Sequence, residues 1–81
     1  MPVVFRWEGY RFFFFSNEGD PQEPMHIHVR KGDRVAKFWI RPEVVCSESY
    51  GLTSSELHRL AQVIESHVDL VERRGHEQFG D

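Results

Sequence analysis

The chain has a single cysteine, Cys46, so no disulfide can form within it. A lone thiol fits a reducing cytosol better than an oxidising compartment. Long apolar runs are missing too. The longest is Phe12-Phe13-Phe14-Phe15, far short of the roughly 20 residues that cross a bilayer. The opening MPVVFRWEGY lacks the charged segment and extended apolar core of a secretion signal. The expectation is a cytoplasmic protein that is not embedded in a membrane. Positive charge is not in excess: 10 Lys and Arg against 13 Asp and Glu leave a net charge of −3. That argues against a protein that coats nucleic acid with its whole surface, but not against a local basic patch. There is no glycine-rich phosphate loop, no Gly-x-Ser-x-Gly nucleophile turn, no repeat and no linker.

Aromatic residues, by contrast, are plentiful at 14%, seven of them phenylalanine. The length of 81 residues implies one domain over residues 1–81. A chain of that size buries roughly 60–65% of its unfolded surface, enough for one core between a sheet face and a helix. With so little reserve, self-association would be unsurprising.

VVFRW and YRFFFFS flank Glu8-Gly9 and predict a β-hairpin; HIHVRK and RVAKFWI flank Gly32-Asp33 and predict a second. NEGDPQEP, residues 17–24, has loop composition. RPEVVCSESYG reads as irregular, with Pro42 ending the fourth strand. Thr53 and Glu56 have the spacing of a capping box, with Leu52 and Leu57 as its hydrophobic staple. Leu57, Leu60, Ala61, Ile64, Val68 and Val71 then recur at helical spacing, and Gly75 is expected to weaken the helix near its end. The fold expected is α+β: a four-stranded antiparallel sheet of two hairpins, one face covered by a single C-terminal helix, order ββββα.

Side chains alternate across a strand. A two-residue turn at Gly32-Asp33 sets His28 opposite Lys37, His26 opposite Trp39 and Arg30 opposite Val35, with Ile27–Phe38 and Val29–Ala36 on the other face. A turn at Glu8-Gly9 pairs Trp7 with Tyr10, Phe5 with Phe12 and Val3 with Phe14 on an apolar face. Behind them it pairs Arg6 with Arg11 and Val4 with Phe13. The face away from the helix should carry Arg6, Arg11, Phe13, Arg30, Lys37 and Trp39 as binding residues beside His26 and His28. Like charges directly opposite are unfavourable unless something anionic meets them.

Three chemistries compete for that face. His26 and His28 form a ligand pair, but two ligands do not hold zinc, no third has diagnostic spacing, and nearby cations repel a metal. No metal and no cofactor is therefore assigned. As catalytic residues, His26 and His28 would serve as base and acid in a metal-independent ribonuclease, with the cations stabilising the phosphate. The bland alternative is that the imidazoles stack on Trp39. Without catalysis, the interleaved rings and cations suit single-stranded RNA, a protein partner or a homodimer. His58, His67 and His76 point in alternating directions on a helix and make no cluster. Cys46 has no motif around it and reads as a small apolar residue.

GYRFFFFSNEG, PMHIHV, AKFWI and YGLTSSEL, in that order, resemble the bacterial family called domain of unknown function 4160. Gly9, Tyr10, Arg11, Asn17, Glu18, Gly19, His26, His28, Lys37, Phe38 and Trp39 carry the resemblance. Arg74-Gly75 stands where members usually have a tryptophan. The resemblance brings no activity. It does imply a gene context like that of a toxin–antitoxin pair, hence a protein partner and an RNA-related target.

Overall fold

The computed structural model describes residues 3–14 and 25–79. The loop expected at residues 17–24, with Asn17, Glu18 and Gly19, lies outside them. Among the described residues five antiparallel strands form one sheet: β1 (Val3–Trp7), β2 (Tyr10–Phe13), β3 (His26–Lys31), β4 (Arg34–Trp39) and β5 (Val45–Tyr50). Their order is that of the chain, β1-β2-β3-β4-β5. Two helices follow, α1 (Ser54–Ser66) and α2 (Val68–Phe79). The expectation of four strands and one helix is thus corrected to five and two.

The fifth strand comes from the segment read as irregular. Its Ser47, Glu48 and Ser49 are exposed, so the segment shows no apolar alternation. A bulge also breaks its period, since Lys37 pairs with Glu48 while Phe38 pairs with Cys46. Pairing with β4 makes it a strand.

The second helix arises at His67, with no proline or glycine to announce it. The His67 ring stacks on Phe5 with centroids 4.1 Å apart, and its Nδ1 lies 2.8 Å from the Val63 carbonyl. A carbonyl only accepts, so Nδ1–H donates. The ring therefore takes the acceptor that the backbone N–H of His67 would use in a continuous helix. That N–H turns to the Ile64 carbonyl at 2.9 Å instead.

The start of α1 is as expected. The Glu56 N–H donates to Thr53 Oγ1 at 3.1 Å, and the Thr53 N–H to Glu56 Oε1 at 2.8 Å, a complete capping box. Gly75 does not end the helix. It is buried within α2, and a Cβ there would sit 2.6 Å from Met25 Cε and 3.4 Å from Phe14 Cζ. The missing side chain lets Phe14, just after β2, and Met25, just before β3, pack against helix backbone, which outweighs the poor helical propensity of glycine.

The second hairpin has the expected register throughout, from His26–Trp39 to Arg30–Val35. The first keeps Trp7–Tyr10, Arg6–Arg11 and Phe5–Phe12, but Val3 pairs with Phe13 and not Phe14. Val4 is the extra residue of a bulge and packs against the core. Glu8 (φ 46°) and Gly9 (φ 84°) both occupy the left-handed region, the pattern of a type I′ turn that matches strand twist. Phe12, Phe14, Ile27, Val29, Phe38 and Ile40 from the sheet meet Leu60, Ile64 and Val71 from the helices, all almost fully buried. Each such side chain contributes about 1.5–3 kcal/mol by leaving water. The helices therefore cover one face of the sheet.

Candidate functional site

Residues paired across neighbouring strands share a face, so the registers define rows on the face away from the helices. One row runs Arg6, Arg11, Arg30, Val35, Tyr50 from β1 to β5. The next runs Val3, Phe13, His28, Lys37, Glu48, and a third places His26, Trp39 and Val45 side by side. Every residue singled out from the sequence, from Arg6 to Trp39, thus projects from the same side.

They are not equally accessible. Arg6, Arg11 and Arg30 are exposed, while His28, Lys37 and Trp39 are half-buried. Phe13 and His26 are buried, at 8% and 6% exposure. The rings form a continuous cluster. Phe13 stacks near His28 at 5.8 Å, His28 meets His26 edge-on at 5.4 Å, and His26 meets Trp39 edge-on at 5.1 Å. The Lys37 ammonium stands over the Trp39 ring at 4.9 Å. Contact between the imidazoles and Trp39 thus involves His26, while His28 stands between the His26 and Phe13 rings.

The arginine row is the electrostatic feature of this face. Arg11 has Arg6 opposite it on one side and Arg30 on the other. Strands about 4.8 Å apart hold the three guanidinium stems within about 10 Å. Among the described residues no carboxylate forms an ion pair with any of them; the ion pairs there are Arg34–Glu56, Arg41–Glu72 and Arg74–Glu77. Arg30 instead donates its Nε–H to the Gly32 carbonyl at 3.0 Å.

Beside the row lies a groove of about 400 Å³, lined by Phe13, His28, Arg30, Lys37, Glu48 and Tyr50 with their strand neighbours. Glu48 and Tyr50 were not placed on this face by the sequence, because they belong to β5. The alternation of Glu48 and Tyr50 up to Gly51 was the available signal.

Two other places offer less. A recess of about 300 Å³ lies on the helix side between Trp7, Tyr10, Lys31 and Arg59. Its cations are already engaged, Lys31 over Tyr10 at 5.0 Å and Arg59 over Trp7 at 5.3 Å. Cys46 packs against the core, and burial pushes its thiol pKa up despite hydrogen bonds from its surroundings. A thiol kept protonated is a poor nucleophile and a poor ligand. Among the described residues no three His, Cys, Asp or Glu side chains converge as a metal-binding group. No helix among them is long and apolar enough to cross a membrane.

Residues 9–74 match the family model described as Domain of unknown function (DUF4160). The chain belongs to that family. The match begins at the Gly9 turn and extends into α2, so it takes in every residue of the arginine row and groove except Arg6. No curated protein and no solved structure matches the chain. Membership of DUF4160 therefore brings a sequence pattern and no reaction.

Proposed function

We propose that this protein is the binding component of a toxin–antitoxin-like pair and that its open sheet face takes a single strand of RNA. The observation that carries the proposal is the row Arg6, Arg11, Arg30, three cations set directly opposite one another without a carboxylate partner among the described residues. Like charges in cross-strand positions destabilise a sheet, and a polyanion laid across the row reverses the sign of that interaction. The groove alongside supplies what a flexible strand needs beyond charge: the exposed Tyr50 ring for a base and Lys37 for a further phosphate. The pairing with a second gene product rests on the resemblance alone; the arginine row and the groove bear only on what the face binds.

The test is binding of a short fluorescent single-stranded RNA. Arg11→Glu and Lys37→Glu should each weaken binding by at least about tenfold, since each exchanges an attraction for a repulsion. Unchanged affinity in both would remove the proposal.

A second reading, a partner protein on the same face, is favoured by one specific observation. Among the described residues, the large hydrophobic side chains that stand out into solvent are Val45 at 46% and Tyr50 at 69%, both on the edge strand β5. An edge strand with exposed apolar residues is a natural place for another chain to add a strand. That reading covers a second copy of this chain too. Sedimentation separates the two cases: a dimer blocked by Tyr50→Lys supports self-association, and a monomer rules it out.

A further inference from the structure

We infer that the groove is a ribonuclease site in which Glu48 and His28 work as base and acid on one phosphodiester held over Lys37. The inference rests on the open face being an RNA surface. His28 on β3, Lys37 on β4 and Glu48 on β5 are consecutive partners in one row, and all three line the groove, with Arg30 and Tyr50 from the next row. Two strand spacings separate His28 from Glu48, about 10 Å between backbones. The two side chains therefore stand either side of Lys37 with room for a phosphate between them. Proton acceptor, cation and proton donor in that order are what in-line transesterification requires.

The bulge in β5 is an independent observation pointing the same way. Residues 46 and 48 have the same parity, so a regular strand would send both side chains to one face. The extra residue, Ser47, separates them. Cys46 joins Phe38 and packs against the core, while Glu48 joins Lys37 at the groove. Bulges recur beside active sites because they re-aim a side chain in this manner. His26 is absent from the lining of the groove; it lies behind His28, edge-on to it at 5.4 Å.

In the reaction, the Glu48 carboxylate takes the proton of a ribose 2′-hydroxyl. The freed oxygen attacks phosphorus, the new P–O2′ bond forming as the P–O5′ bond breaks. His28, as imidazolium, gives its proton to the departing 5′-oxygen. The products are a 2′,3′-cyclic phosphate and a 5′-hydroxyl. Nothing is oxidised or reduced, and both side chains recover their starting forms by proton exchange with water. Lys37 and Arg30 meet the charge that grows on the non-bridging oxygens.

The experiment uses the full chain in EDTA with a short labelled single-stranded RNA carrying one 2′-deoxy linkage. The same sequence with every sugar 2′-deoxy serves as an uncleavable binding probe. Expected are fragments ending in 2′,3′-cyclic phosphate, no cut at the deoxy linkage, and losses of at least about 100-fold for Glu48→Gln and for His28→Ala. Both variants should still bind the deoxy strand, which shows them folded. RNA left intact by wild-type protein that binds it overturns the catalytic inference and leaves the binding reading standing. Failure to bind either strand overturns both. Cutting at the deoxy linkage, or wild-type rates in both variants, also overturns the inference, because the activity then lies elsewhere.

Discussion

Arg11 and Glu72 show how differently two charges are treated in this protein, the first exposed and the second half-buried. Arg11 stands between two other arginines, whereas Glu72 on α2 holds Arg41 in a two-point ion pair, Nε to Oε2 at 2.5 Å and Nη2 to Oε1 at 2.9 Å. Arg41, first by hydrogen bonding and then by its charge, keeps the Glu72 carboxyl below the ordinary carboxylate range. A pKa lowered by folding adds stability that is present above the unfolded value and lost as pH falls through the folded one. Glu72→Gln should therefore lower the midpoint of thermal unfolding at neutral pH, and the difference from wild type should close on acidification below the usual carboxylate range. A gap of constant size across that range would mean that the ion pair contributes nothing. This pair was not legible in the sequence, because Arg41 and Glu72 are 31 positions apart and nothing local connects them. The pairing of His26 with Trp39 and His28 with Lys37 was legible, since a two-residue turn and period-two alternation fix it.

Among the elements, those with a strong local signal could be read and those made by tertiary contact could not. The two hairpins have turn residues between β-branched and aromatic runs, and α1 has its capping box. β5 has neither; it is a polar strand whose ladder partner, β4, decides its existence. The break at His67 likewise depends on Phe5, more than sixty positions earlier, about which a helical stripe carries no information. The β5 bulge gives a direct check on this account. Deleting Ser47 would leave Lys37–Glu48, Phe38–Cys46 and Trp39–Val45 all able to pair, now in regular alternation. The deletion variant should fold with stability within about 1 kcal/mol of wild type, measured by urea unfolding. Collapse of the fold would show that the bulge holds the strand together and does more than orient Glu48.

For the molecule as a whole, a net charge of −3 conceals a division by surface. Arg6, Arg11, Arg30 and Lys37 stand on the open side of the sheet, with Glu48 the acid that the registers place among them. Bulk composition argued against a nucleic-acid coat, and strand alternation pointed to the basic face that composition hides. Which side chains on it can be reached was not legible. Phe13 and His26 are buried on it and make ring contacts that no local pattern encodes. The central claim is that this face meets a polyanion, and the dependence of RNA affinity on salt tests it most directly. With three to four phosphates neutralised on a single strand, the logarithm of the binding constant should fall against the logarithm of salt concentration with a slope of about −2 to −3. Replacing Arg11 with glutamate should make that slope distinctly shallower. A slope near zero, or one that Arg11→Glu leaves unchanged, would contradict the account.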